Sequence, residues 1–245
     1  MFEYSPLPHL LAVAVLIWLW VYLRRADHHR QYLPARILLI LVLSTWLITT
    51  SWIAFNGNYL ELARETALFP LAVIISMALI ALAALLSKQV RRLIMQFISN
   101  TSLATLTFIN IIRIGAIGTI IHFYQGTLPG HFIIPIAIPD LVIGLSAYYM
   151  SLQTRNQSND HWLLVWHICG TFIFLSAVPL MLLSQPGLFN LFETGPNTDQ
   201  VLSFSMVLVP TFVAPLLVLI HLSAITQLVS RIHHKNSTTK TGEAS

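Results

Sequence analysis

TSLATLTFINIIRIGAIGTIIHFY (Thr101–Tyr124), QGTLPG (Gln125–Gly130) and HFIIPIAIPDLVIGLSAYYMSL (His131–Leu152) form two apolar runs joined by a short polar turn. Each run is long enough for an α-helix to cross the hydrocarbon core of a bilayer, which needs about 20 residues for about 30 Å. The short turn makes the two runs antiparallel neighbours, so the stretch reads as a membrane hairpin. Five more apolar runs flank it, at Leu7–Leu23, Ile37–Phe55, Leu68–Leu86, Trp162–Ser184 and Ser203–Leu228. The expectation is an all-α transmembrane bundle of seven spans over residues 1–230. Residues 231–245 form a polar, Ser/Thr-rich tail that reads as mobile and cytoplasmic.

Composition leads to the same class. Of 245 residues, 56% are hydrophobic and 9% charged, against about a quarter charged in soluble domains. Mean hydropathy is +0.74. Such a chain cannot cover itself with a wettable surface, and its partner is the lipid bilayer. The formal charge of +4 does not point to nucleic acid, because the basic residues are scattered over loops rather than gathered in a stripe. The single cysteine, Cys169, lies in an apolar run and admits no intrachain disulfide.

Lys and Arg near span ends tend to stay cytoplasmic. Alternate loops put Arg24, Arg25, Arg30, Arg36, Lys88, Arg91, Arg92, Arg155, Arg231, Lys235 and Lys240 on one side, against Arg64 alone on the other. The N-terminus is therefore expected outside and the C-terminus inside, with the region of Asn197 outside and Ser245 inside. No basic region precedes the first apolar run, so that run reads as a retained anchor. Sequons at Asn100, Asn156 and Asn236 fall on the inner side and read as chance matches. The six tryptophans, Trp18, Trp20, Trp46, Trp52, Trp162 and Trp166, read as interfacial anchors. Arg91–Asn100, with Ile94, Phe97 and Ile98 on one face, reads as a short interfacial helix.

Only Arg113 and Asp140 put formal charge deep inside spans. An ion at that depth costs about 2.5–3.5 kcal/mol on insertion scales and calls for a partner. Counted back from the turn, Arg113 is about 14 residues away and Asp140 about 12, a height mismatch of roughly 3 Å. Asn110 shares the Arg113 face, and Gly144 and Tyr148 are placed with Asp140 at i+4 and i+8. Gly115 and Gly118 permit close helix approach. Pro135 and Pro139 each remove a backbone donor, as in the broken helices that build midplane transport sites. Two readings follow: a substrate-binding site formed by Arg113, Asp140, Asn110 and Tyr148, or a structural ion pair holding the hairpin.

His167 and His221 stand at similar depths near the cytoplasmic ends of the last two runs, and both are expected to face inward. Such a pair can hydrogen-bond between helices, relay protons, or hold a ligand or haem iron. No third metal ligand stands at matching spacing, so no cofactor is expected, with haem as the alternative. His122 and His131 flank the outer turn and read as water-satisfied. The pairs His28–His29 and His233–His234 read as solvated or facing lipid headgroups.

Rhodopsins require a lysine in the last span, and none is there. Seven-helix receptors carry Asp-Arg-Tyr and Asn-Pro-x-x-Tyr, which are missing. Zinc hydrolases of the ceramidase type carry His-x-x-x-His, whereas His221 is followed by Ile225 four residues on. Arg113-Ile-Gly115, Gly126-Thr-Leu-Pro129, Phe132, Pro135, Asp140 and Gly144, with Leu208-Val-Pro210-Thr-Phe, Pro215 and His221, resemble a pattern in uncharacterised bacterial multi-pass proteins. That resemblance covers the C-terminal half. It implies an inner-membrane protein built around Arg113, Asp140 and His221, and brings no activity with it.

No nucleophile triad, phosphate-binding glycine loop or cysteine cluster stands in the chain. The functional expectation is a non-enzymatic protein that binds or moves a small solute, ion or proton through an intramembrane polar site. A haem-binding redox protein and a membrane sensor or assembly partner are the alternatives. Oligomeric state is left open by the sequence.

Overall fold

A computed structural model describes residues 6–27, 30–65, 69–155, 159–184 and 199–242. His28, His29, Leu68, Asn156, Asn197 and Ser245, on which some of these expectations fall, lie outside the described residues. Within them the chain is helical, with no strand.

Helices α1 (Leu7–Ala26) and α2 (Leu33–Phe55) form the first pair, each opened by a proline in its first turn. There the missing N–H has no intrahelical partner to lose. A short helix α3 (Asn58–Glu65) follows, then α4 (Phe69–Leu86) and α5 (Lys88–Asn100). α5 turns by 118° from α4. Its cause is Ser87, which sits in extended conformation and accepts a hydrogen bond from Val90 N–H, opening a new helix. α5 buries Val90, Leu93 and Phe97 and exposes Lys88, Arg91 and Arg92. The other end of α5 is closed from afar: Gln227 Nε2 donates to the carbonyls of Ile98 and Thr101, two acceptors the helix itself leaves open.

Ser102 caps α6 (Leu103–Phe108), after which the span tightens into 3₁₀ over Ile109–Ala116 and returns to α-helix as α7 (Ile117–Tyr124). Asn110 helps to keep it tight, because its side-chain amide donates to the carbonyls of Leu106 and Thr107. The hairpin partner widens into a π-turn at Ile133–Ala137, around Pro135, before α8 (Ile138–Gln153). α9 (Asp160–Leu183) carries Pro179 within it. After α10 (Asp199–Leu202), a second π-turn at Val209–Val213 leads into α11 (Ala214–Gly242). π-turns are rare and occur where a proline or a function disturbs the ladder.

Six helical stretches are long and apolar enough to cross a membrane, and the bent α4–α5 pair makes a possible seventh. The stretch Val209–Lys235 is 67% buried, whereas the other five are 22–28% buried. It is therefore the central helix, against which α9, α6, α4 and α5 pack. The outer surface stays apolar, with Ile48, Leu85, Leu86, Ile134 and Phe172 exposed. In water that exterior would be unfavourable, and in lipid it is the expected one.

Two expectations are corrected here. The polar segment after Ser230 continues α11 as far as Gly242 instead of leaving it as a tail. Extending an existing helix avoids the nucleation step, so polar residues of modest propensity can follow. Trp46 and Trp166 are also not simple anchors. Trp46 Nε1 donates to Thr211 O at 3.1 Å, and Trp166 Nε1 donates to Ser146 Oγ at 3.0 Å.

Candidate functional site

α8 and the 3₁₀ segment come together backbone to backbone at Gly144. A Cβ there would stand 2.5 Å from Ile114 N and 2.8 Å from the Arg113 carbonyl carbon. Only glycine allows that approach, and it brings Asp140, one turn before Gly144, level with Arg113. Nε and Nη2 of Arg113 both contact Asp140 Oδ1. Nη2 also donates to Gly170 O at 3.2 Å, and the guanidinium carbon lies 4.3 Å from the centre of the Phe174 ring. The Arg113 side chain is 1% exposed and that of Asp140 19%. The arginine is thus sealed, while its counterion reaches open space.

Arg113 extends the network towards α11 and α9. Its Nη1 is 3.0 Å from His221 Nε2. His221 Nδ1 is 2.8 Å from His167 Nδ1, with the rings at 74° and their centres 5.0 Å apart. His167 Nε2 is 3.2 Å from Thr107 Oγ1, which in turn reaches Leu103 O at 2.8 Å. Thr107, His167 and His221 are each 0% exposed. Trp166 packs edge-on against His167 and at a tilt against His221, with ring centres 4.8 and 5.8 Å apart.

The proton positions in this chain follow from its first donor. A guanidinium only donates, so His221 Nε2 accepts and the His221 proton is on Nδ1. That N–H donates to His167 Nδ1, which places the His167 proton on Nε2, facing Thr107. The threonine hydroxyl then donates to Leu103 O. Both histidines are neutral, and every link from Arg113 to Leu103 runs in one direction.

Gly170 makes the junction possible. A Cβ at this position would lie 2.4 Å from His221 Cε1, 2.6 Å from His221 Nε2 and 2.9 Å from Arg113 Nη1. Its carbonyl is at the same time an acceptor for Arg113. The last expected member, Asn110, is fully buried, and its Oδ1 has no hydrogen-bond partner among the described residues.

On the other side of the ion pair is a cavity of about 160 Å³. Arg113 and Asp140 lie on its wall together with apolar groups such as Leu11, Ile136, Phe174 and Val213, and His122 also lines it. Both contacts of Asp140 with Arg113 fall on Oδ1, and Oδ2 has no partner among the described residues.

The structure therefore brings together Arg113, Asp140, His221 and His167, with Asn110 alongside. It does not include Tyr148, which is 58% exposed and packs edge-on against Phe108 with ring centres 6.4 Å apart. Eight residues along an α-helix amount to about 80° beyond two full turns, so Tyr148 rotates off the Asp140 face, and the buried Ala147 takes the inward place. Thr107, Gly170, Phe174 and Trp166 belong to the cluster, and no spacing rule selects them, because each is defined by a neighbour on another helix. His122 Nδ1 reaches Thr127 Oγ1 at 3.1 Å, and His131 Nε2 contacts Ser184 Oγ. Both thus have protein partners, His122 within the turn that joins α7 to the next span and His131 at the end of α9.

The histidine pair does not fit haem or a metal ion in this arrangement. Two nitrogen ligands at about 2.0–2.1 Å from one ion stand about 4 Å apart when they face each other across it, as on haem iron, and about 3.3 Å apart in a tetrahedral site, whereas these two nitrogens are 2.8 Å apart. Each ring's other nitrogen is also engaged. Among the described residues no group of three His, Cys, Asp or Glu is placed to hold a metal.

The family described as Domain of unknown function (DUF8737) matches residues 68–229. The chain belongs to that family. The matched region spans α4 to α11 and contains the whole polar cluster. No curated protein matches the chain, and no solved structure matches it.

Proposed function

We propose that this is a seven-span membrane protein, outside at the start of α1 and cytoplasmic at the end of α11, that binds and moves a small solute through the cavity at Arg113 and Asp140. α4 is the seventh span: its 18 residues reach about 27 Å at 1.5 Å per residue, and α5 then lies across the inner end. Supporting this orientation, α1 ends in Arg24–Arg25, α2 begins beside Arg36, and α5 exposes its basic residues at the same end. A bacterial inner membrane is the setting that the sequence resemblance suggests.

The observation that carries the functional reading is the half-used carboxylate. A purely structural ion pair is expected to be sealed from both sides and saturated. Asp140 instead presents a carboxylate oxygen without a partner among the described residues beside a cavity, while Arg113 behind it is buried and uses four of its five N–H donors on Asp140, Gly170 and His221. The oriented chain through His221, His167 and Thr107 backs the cavity as a polar plug towards the cytoplasmic side. Nothing in this reading requires covalent chemistry, and we place the protein among binding and transport proteins rather than enzymes.

The test is retention. Full-length protein in lipid nanodiscs is analysed by native mass spectrometry beside Gly118→Leu, which fills the cavity. A Cβ at Gly118 meets only Leu7 Cδ2 at 3.9 Å, so a side chain can begin there without a backbone clash. A small molecule held by the wild type and lost from the variant is expected. Equal retention by both, or none by either, would overturn the reading.

A further inference from the structure

We infer that the solute is a small monocarboxylic acid, taken up in its undissociated form, whose carboxyl group exchanges places with Asp140 on Arg113. This rests on the binding reading above and names its substrate class.

Size and polarity come first. A cavity of about 160 Å³ is close to one of about 150 Å³ that accommodates benzene. The occupant therefore has an apolar body of roughly six to eight non-hydrogen atoms. The wall is largely apolar, with Thr119 and His122 towards the turn and the Arg113–Asp140 ion pair as its charged part, so the most polar group of the occupant belongs beside that pair.

Charge decides the rest. Arg113 and Asp140 cancel, and His221 and His167 are held neutral by their hydrogen-bond order. An added cation or anion would leave one uncompensated charge in an apolar chamber, which is costly without a partner. An occupant that is neutral on entry avoids this. It must also donate, because the open atom, Asp140 Oδ2, is an acceptor when ionised. A protonated carboxyl group meets both demands, and it adds a step that an alcohol or amide cannot take.

In that step the acid's O–H proton moves to Asp140 Oδ2. Asp140, now neutral, releases Nε and Nη2 of Arg113 from Oδ1. The two oxygens of the new carboxylate take those N–H groups side by side, the geometry for which a guanidinium is shaped. Net charge is zero before and after, one O–H bond breaks and one forms, and no other reactant is needed. Asp140 has room to withdraw, since Pro139 and the π-turn at Ile133–Ala137 interrupt the helix just before it. The titratable and charged groups around it are Arg113 from the 3₁₀ segment, His221 from α11, His167 from α9 and His122 of α7 on the cavity wall. On α1, His9 packs on Phe204 with ring centres 4.9 Å apart.

The experiment titrates sodium hexanoate into full-length protein in nanodiscs at pH 7, by calorimetry in two buffers of different ionisation enthalpy. Gly118→Leu nanodiscs are subtracted to remove partitioning into lipid. Saturable binding with one proton taken up per hexanoate is expected, because the anion in solution is bound as the acid. Affinity should fall about tenfold for each pH unit above neutrality. In Asp140→Asn the amide cannot take the proton, so binding should proceed without proton uptake and without that pH dependence. Hexanoate binding to the wild type with no proton uptake would overturn the inference, and this arm stands even if Asp140→Asn does not fold. Saturation by hexan-1-ol or hexylammonium but not hexanoate would overturn the acid assignment and leave the cavity reading intact. If none of the three binds and mass spectrometry finds nothing retained, both fall.

Discussion

Two polar clusters lie buried in this bundle, and they are built on opposite principles. Around the second π-turn, Thr50 Oγ1 meets Tyr59 Oη at 2.6 Å and Thr211 Oγ1 at 3.2 Å, while Trp46 Nε1 and Ser76 Oγ both donate to Thr211 O. The reason for those two donors is Pro215, which has no N–H to give the carbonyl four residues before it. Burial pushes the Tyr59 phenol above its ordinary range, against a smaller opposing effect of Thr50, so it remains a neutral hydroxyl. This cluster contains no ion. It repairs a broken helix with groups from α2, α3 and α4. The Arg113 cluster, by contrast, carries two formal charges, keeps one carboxylate oxygen open and borders a cavity. The difference separates a polar cluster that completes the backbone from one that, on the proposed reading, meets a solute.

The largest expected effect would test that separation directly. Arg113→Gln or Asp140→Asn alone strands a buried charge and should cost about 3–5 kcal/mol, measured by denaturant unfolding in detergent. The double variant should recover more than half of that loss while remaining unable to retain the solute. Full recovery of retention in the double variant would make the pair structural, like the Thr211 cluster.

A middle-sized effect is expected at the two glycines. Gly144→Ala meets backbone atoms, which cannot step aside, and should cost about 3 kcal/mol, the upper end for overpacking. Gly170→Ala meets the His221 ring, which can tilt, and should cost roughly 1–2 kcal/mol. Only Gly170→Ala should leave a well-folded protein whose ligand retention is nevertheless reduced, because its damage falls on the His221–Arg113 contact. A loss at Gly170→Ala as large as that at Gly144→Ala would show that the His221 ring is as unyielding as backbone.

The smallest effects sharpen the comparison from its neutral side. Thr211→Val removes a hydroxyl that accepts from Thr50 and donates to Val207 O, a carbonyl that Thr211 N–H still serves, and it keeps the carbonyl that Trp46 and Ser76 use, so about 0.5–1.5 kcal/mol is expected. Tyr148→Phe should fall within about 0.5 kcal/mol, as for other outward positions. Neither should change retention. A loss of retention on Tyr148→Phe would return that residue to the site.

Much of this was legible because membranes impose height. The facing of Arg113 and Asp140 follows from counting residues back from one short turn, and α5 is visible in the spacing of Ile94, Phe97 and Ile98. What eluded the sequence was rotation and neighbourhood. Tyr148 was assigned by a spacing that drifts around the helix. Gly170 looks like any glycine until α11 and the 3₁₀ segment are placed beside it. Thr107 reads as one small residue among many apolar ones, and its role exists only through His167. The irregular windings were half visible: Pro135 and Pro210 mark the π-turns, whereas Ile109–Ala116 contains no residue type that announces 3₁₀.

That tightened segment has a geometric consequence. Eight residues wound as 3₁₀ rise about 16 Å, whereas the same eight wound as α-helix would rise about 12 Å. The change would also turn one end against the other by roughly 160°, from the difference between about 120° and 100° per residue. The span that carries Arg113 is thus stretched and overwound where it grips Asp140, and a return to α-helix would shorten it by about 4 Å, roughly three-quarters of a helical turn.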